Sequence, residues 1–256
     1  MTPEQIILLM EASYKQYTSM EAKINATGYI WEEDEQIVHG VYEITTRWTQ
    51  EKEYWKIYRT IYPTSNHPQT REEIVAYSFT DQQTRQLTQE PDRTPRGLVR
   101  FGGKRDVDQS FLTINMAIWE YCDILWNKPH DTRDMVLKYD KICNLYEFMV
   151  KMREPVDAVY TFYLDSTKKF IPVKKEIVEG QTLVKHIECS EFQNINNVWI
   201  PYKYSCTEHR DNRIEYYEVE QASVNLEIED NLFDLDFPPE TIVIDEIADI
   251  KHKFKM

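Results

Sequence analysis

Few residues of this chain combine a reactive side chain with a spacing that chemistry would use. The nearest approach to a phosphate cradle is Gly97-Leu-Val-Arg-Phe-Gly102-Gly103-Lys104-Arg105. A phosphate loop needs its glycines and lysine at fixed offsets, then a Ser or Thr hydroxyl for magnesium. Here the spacing is off by one residue and Arg105 stands where the hydroxyl is required, so Gly102-Gly103 reads as a turn. The six histidines are His39, His67, His130, His186, His209 and His252. They lie too far apart for a local zinc motif, and His186, inside a strand pattern, reads as a structural imidazole. No G-x-S-x-G nucleophile elbow occurs. Glu32-Glu33-Asp34-Glu35 lacks the spaced ligands and the glycine of a calcium loop, so it reads as a solvated hairpin turn. Asp245 and Glu246 are neighbours on a strand and point to opposite faces. No catalytic residue, metal ligand set or cofactor is assigned, and the chain is read as a non-enzyme. A site assembled from distant strands is the remaining route to hydrolytic or metal chemistry.

What the composition does supply is aromatic surface. Aromatics make up 13% of the residues, with 17 Tyr. In Glu53–Tyr62 the period of two puts Trp55, Ile57 and Ile61 on one side and Tyr54, Tyr58 and Tyr62 on the other. Either one face is core and the other a cavity wall, or the Tyr face simply meets solvent. Ligand cavities are mostly apolar with few polar groups. Trp48, Trp119, Trp126 and the Tyr54–Tyr62 ladder could therefore line a pocket beneath a helix, or be ordinary core.

The elements that must position these residues are mostly strands. Thr2, Pro3 and Gln5 read as N-cap, first helical position and capping-box partner. Ile6, Leu9, Met10, Ser13 and Tyr17 follow at helical spacing. Asp108 can cap a second helix through Trp126, with Phe111, Ile114, Ala117, Ile118, Trp119 and Cys122 wrapping most of its circumference. A helix apolar nearly all round is buried or covers a cavity. Between and after the helices the pattern alternates. Arg133–Lys141 and Leu145–Arg153 read as strands, with a helix the alternative for 131–144. Arg213–Glu229 is too long for one straight strand, and its phase changes between Tyr216 and Tyr217 as at a bulge. Pro201 implies a bulge or an edge. No linker or repeat divides the chain, so residues 1–256 read as one domain.

The net charge of −14 excludes nucleic acid as a natural partner, since phosphate binding needs a basic footprint. No run approaches the roughly 18–20 apolar residues of a membrane span. Met1-Thr2-Pro3 leads directly into a helix cap, which fits either a cytosolic protein or one whose signal segment has been removed. With a turn near Asn194–Ile195, Cys189 would face Ile200. Cys206 would then be offset by roughly 17–20 Å along the strands, beyond the reach of a disulfide. Free, buried thiols are expected.

The C-terminal third resembles the periplasmic lipoprotein-carrier superfamily of LolA/LolB-like and RseB-like half-barrels, and in particular outer-membrane lipoprotein-sorting-like proteins of bacterial envelopes. The residues that carry the likeness are Tyr163-Leu-Asp165-Ser-Thr-Lys-Lys-Phe170-Ile-Pro172-Val173, Val198-Trp199-Ile200-Pro201, Val224-Asn225 and Phe233…Phe237-Pro238…Thr241…Val243…Asp245. The Asp81 hairpin is similar to an earlier turn of the family. Glu240 and Gln82 stand where relatives usually carry Gly. The resemblance implies a mainly β fold: a single curved antiparallel half-barrel sheet of about eleven or more strands, with helices plugging the concave face. It implies a cell-envelope location after signal-peptide removal, and a hydrophobic cavity that takes a lipid acyl chain or lipoprotein. The apolar helix and the two-faced strand supply the wall residues expected for such a cavity: Trp55, Tyr58, Phe111, Ile118 and Trp119. The competing reading is an envelope sensor or interaction module that binds a partner protein, its cavity filled by core side chains.

Overall fold

Thr2 starts the first helix. Its hydroxyl accepts the Gln5 amide, and the Gln5 side chain accepts the Thr2 amide at 2.9 Å, the reciprocal capping box expected from the sequence. In the computed structural model, α1 runs Pro3–Tyr14 and buries Ile6, Ile7, Met10 and Ser13. The structure describes residues 1–32, 35–49, 51–64, 68–80, 83–101, 114–119, 122, 133–152, 157–247 and 250–253.

Beyond α1 the alternating pattern becomes strands. They are β1 (Ser19–Glu32), β2 (Glu35–Thr49), β3 (Glu53–Ile61), β4 (Arg71–Phe79), β5 (Gln83–Gln89) and β6 (Arg96–Phe101). After α2 (Ile114–Trp119) come β7 (Arg133–Asp140), β8 (Leu145–Met152), β9 (Ala158–Asp165), β10 (Ile171–Glu179), β11 (Thr182–Ile195), β12 (Val198–Glu208), β13 (Arg213–Val224), β14 (Ile242–Asp245) and β15 (Ile250–Lys253). The 15 strands join in the order β15-β14-β6-β5-β4-β3-β2-β1-β13-β12-β11-β10-β9-β8-β7. The fold class is the expected one, mainly β with one large open sheet and few helices. The order ends in two different strands, so the sheet does not close into a barrel. One pair departs from the antiparallel expectation: β14 lies parallel to β6, with Ile242 opposite Arg96.

The chain forms two compact units. The first comprises Met1–Tyr17, Ile30–Gln36 and Phe111–Glu218; the second comprises Thr18–Tyr29, Ile37–Ser110 and Val219–Met256. In the first, consecutive hairpins bring Phe148, Phe162, Lys175, Ile187, Cys206 and Glu215 side by side across β8 to β13. The turn before β10 is a 3-10 turn at Ser166–Lys168, capped by Asp165, which accepts the Thr167 amide at 2.8 Å.

In the second unit the strands use both faces. Trp48, Trp55, Ile57, Val75 and Phe79 are buried on one. On the other, the registers align Tyr54, Ser78, Arg85 and Val99, then Lys56, Ala76, Leu87 and Gly97. The segment after β13 crosses these two rows. Phe233 and Leu235 are buried on them, and Phe237 packs with Tyr54 against Ala76, Leu87 and Leu235. The Ser78 hydroxyl donates to the Phe233 carbonyl, and the Arg85 guanidinium sits 4.9 Å from the centre of the Phe237 ring.

Several local expectations need correction. The alternation of β13 is unbroken from Glu215 to Val219, with no phase change at Tyr216. Glu215 faces the core despite its charge, which hides the register from a hydrophobic pattern. The strand ends at Val224 rather than Glu229, where Asn225 takes a positive φ of 56°. The ladder around Pro201 keeps one register, with no bulge. The β11–β12 turn lies at Asn196–Asn197, so Cys189 faces Tyr204 rather than Ile200. All four cysteines are free, but Cys143 is exposed in the β7–β8 turn. Residues 133–140 are strand, not helix. The expected turns at 33–34, 81–82 and 102–103, and the flanks of the second helix, lie outside the described residues.

Gly97 has no room for a side chain. A Cβ there would lie 2.6 Å from Phe237 Cε1 and 2.8 Å from Val243 Cγ2. Overpacking of this kind costs about 1–3 kcal/mol. Gly97→Ala should therefore lower the denaturation midpoint by several degrees. The cost should shrink in a Phe237→Ala background, where the clash with the ring is gone and only that with Val243 remains; additive losses in the double mutant would show that Gly97 and Phe237 do not meet.

Candidate functional site

The helix-bearing unit holds the most apolar packing that the sequence singles out. Ile114, Ala117, Ile118 and Cys122 are fully buried and Trp119 nearly so. Ala117, Ile118 and Trp119 are consecutive and all buried, so α2 buries more than one narrow stripe. It lies against β10, β11 and β12. The Trp119 ring meets Tyr14 and Tyr17 edge-on, at 5.6 and 5.7 Å between centroids. Aromatic pairs favour this geometry because a positive ring edge meets a negative face.

Polar atoms within this packing are tied to backbone. The Tyr17 hydroxyl donates to the Trp199 carbonyl at 2.5 Å, the Ser13 hydroxyl to the Lys169 carbonyl, and the Cys189 thiol to the Ala117 carbonyl at 3.8 Å. Burial pushes the Cys189 thiol up to about 12 and raises the Tyr17 phenol. Neither is an ionised nucleophile at neutral pH. The contact is apolar in substance, and the Tyr17, Ser13 and Cys189 donors are used within it.

Beside it on the same unit lies a buried polar cluster. Tyr217 donates to Glu215 Oε2 at 2.5 Å, and Arg213 Nε stands 3.8 Å from Glu215 Oε1. Lys185 pairs with Glu208 at 2.9 Å. The Tyr204 and Tyr217 rings stack at 4.6 Å. Burial raises the Glu215 carboxyl despite the nearby Arg213, and burial raises both phenols. Tyr217 satisfies Glu215 Oε2, while Arg213 Nε stands beyond hydrogen-bond distance and acts on the carboxylate through charge alone. Among the described residues no group of three or more His, Cys, Asp or Glu is placed to hold a metal ion.

The described wall residues are divided between the two units. Ile118 and Trp119 sit together in α2. Phe111 lies outside the described residues. Trp55 and Tyr58 are three apart on β3 and so face opposite ways. Trp55 is buried against Tyr77 and Phe79, at 5.7 and 5.4 Å. Tyr58 is 44% exposed on the other face, with the Lys56 ammonium 4.9 Å from its ring centre. There it lines a groove of about 740 Å³ with Val41, Glu43, Thr60, Glu72 and Ile74. The Tyr face of β3 is thus covered at Tyr54 and open at Tyr58. Sequence reasoning placed Tyr17 on the helix face but missed its partnership with Trp119. It also missed Glu215, for which a charged residue inside an otherwise alternating strand is the only signal.

No family model matches the chain, and no curated protein matches it. Solved structures do. The chain is similar to a domain from Vibrio parahaemolyticus described as an outer membrane lipoprotein-sorting protein, with TM-score 0.54 and 10% identity over 91% of this chain and 97% of that one. It is similar to a DUF1329 family protein from Desulfovibrio piger, also with TM-score 0.54 and 10% identity, over 91% and 95%. A LolA superfamily protein from Nitrosomonas europaea matches with TM-score 0.52 and 10% identity over 92% and 98%. At such identity the likeness is one of fold: the chain has a LolA-like fold.

The buried carboxyl sets a pH test. Glu215 has a folded-state pKa above its ordinary value of 4.5. The folded state therefore holds a proton that the unfolded chain releases, and this stabilisation, full below 4.5, is lost as pH rises through the folded value. Urea unfolding from pH 4 to 8 should show wild type losing stability relative to Glu215→Gln as pH rises. Parallel pH curves for the two proteins would contradict a raised Glu215.

Proposed function

We propose that this chain is a non-enzymatic cell-envelope protein that takes an acyl chain, of a lipid or a lipoprotein, between α2 and the sheet of the helix-bearing unit. The observation that carries the reading is the burial of Ile114, Ala117, Ile118 and Trp119 in α2, against β10, β11 and β12. Such a contact is non-directional, so a hydrocarbon chain can replace one apolar surface with another. Each buried CH₂ contributes roughly 0.8 kcal/mol, enough for a modest chain to compensate for shifting a short helix. The LolA-like fold, and the lipoprotein-sorting description of a similar structure, support the same reading. No helix among the described residues is long and apolar enough to cross a membrane, so the acyl group rather than the chain would be the hydrophobic cargo.

A second reading has its own support. Ile118, Phe148 and Leu164 have no exposed surface at all, as expected if the space under α2 is permanently filled and the protein is an envelope sensor that binds a partner protein. Native mass spectrometry with added palmitate or a diacyl lipopeptide separates the two. The carrier reading expects a stoichiometric adduct that Trp119→Glu abolishes while the protein stays folded. If no adduct forms across a panel of acyl lengths, the carrier reading falls and the filled-core sensor takes its place.

A further inference from the structure

The Tyr54 face of β3, β4 and β5 treats its two ends differently. At one end, the rows through Tyr54 and Lys56 are covered by the chain's own extended segment, Phe233-Asp-Leu-Asp-Phe237. That segment alternates: Phe233 and Leu235 point down and are buried, while Asp234 and Asp236 point out and are exposed. Two residues along the same strands the cover stops. The next rows align Glu43, Tyr58, Ile74 and Gln89, then Val41, Thr60 and Glu72. These rows form the groove of about 740 Å³.

The floor of this groove repeats the chemistry of the covered end. Tyr58 repeats Tyr54 two rows further along β3, and Ile74 continues the line of Ala76. Alternate side chains of an extended segment lie about 7 Å apart, close to the spacing between successive rows on one face. The groove can therefore seat a short extended segment just as the adjoining rows seat residues 233–237.

Its charge differs. The Arg59 guanidinium is committed to Glu73 at 2.6 Å, and Arg71 holds the same carboxylate at 3.1 Å. Glu43 and Glu72, both exposed, form no ion pair among the described residues. They stand diagonally across β3 on β2 and β4, on strands about 10 Å apart. Asp234 and Asp236 would make a segment like the chain's own a poor fit beside them. A segment with cationic side chains at the alternate positions would suit both the floor and the rim.

We propose that this groove is a docking site for an extended, cationic segment of a partner protein, with apolar side chains on Tyr58 and Ile74 and Lys or Arg side chains paired with Glu43 and Glu72. The site is independent of acyl binding under α2, because no residue is shared.

The test is fluorescence anisotropy with a labelled nonapeptide of alternating Lys and Val, against the same peptide with Glu for Lys. The Lys peptide should bind saturably and the Glu peptide should not. Glu43→Gln with Glu72→Gln should weaken binding about tenfold at low salt, the loss expected for two exposed ion pairs. Tyr58→Ser should weaken it at high salt as well, since it removes the floor. All three positions are exposed, and unchanged thermal melting will show that the variants fold. Binding that survives these substitutions is generic attraction to a chain of net charge −14, and it overturns the proposal. So does the absence of saturable binding, or Tyr58-dependent capture by phosphatidylglycerol vesicles without peptide binding, which would make the groove a lipid contact.

Discussion

A β-strand gives its side chains alternately to two faces, and much of this protein follows from having to satisfy both. In the helix-bearing unit α2 lies against β10, β11 and β12, and in β8 burial falls on every second residue from Phe148 to Met152. In the other unit both faces of β3 and β4 carry large side chains. Trp55 and Ile57 go to one side and Tyr54 and Tyr58 to the other, and the second side needs its own cover. The segment 233–237 supplies that cover as far as its length allows. The groove at Tyr58 is what lies beyond its reach.

The same constraint explains which features the sequence disclosed. The capping box at Thr2, the strand pair around Asp165 and the opposed faces of β3 all follow from local rules and appear as read. The resemblance at Phe233-Asp-Leu-Asp-Phe237-Pro led to the correct fold class, but not to what that block does. Its partners Tyr54, Ser78, Leu87 and Gly97 are remote in sequence, and no periodicity links them. Gly97 illustrates the limit. In the sequence it belongs to a failed phosphate loop; in the structure it is the strand position over which Phe237 passes. Glu240 is the converse case. It stands where relatives usually carry Gly, and its φ of 66° is the left-handed conformation that glycine adopts without strain.

The candidate site was legible in its helix and obscure in its strands. Ile118 and Trp119 pack as an apolar helix should. Trp55 and Tyr58 could not have formed one wall, since an odd separation on a strand divides them between faces. Glu215 was hidden by the assumption that charge points outward. Its burial beside Tyr217 and Arg213 is a tertiary outcome, in which neighbouring donors offset the lost hydration.

The parallel pairing of β14 with β6 bears on the order in which the molecule can be made. β7 to β13 form a run of antiparallel neighbours, each paired with the strand just before it, so that part can assemble as it is synthesised. β6 waits. Its second neighbour, and the cover for Tyr54, Ala76 and Leu87, come from residues 233–245, which are synthesised long after it. Until then β6 keeps an unpaired edge beside an uncovered apolar face, the combination that invites wrong pairing between chains. Long-range closure of this kind is slow. The late arrival of residues 233–245 makes this half of the protein the one most dependent on protection before it is complete.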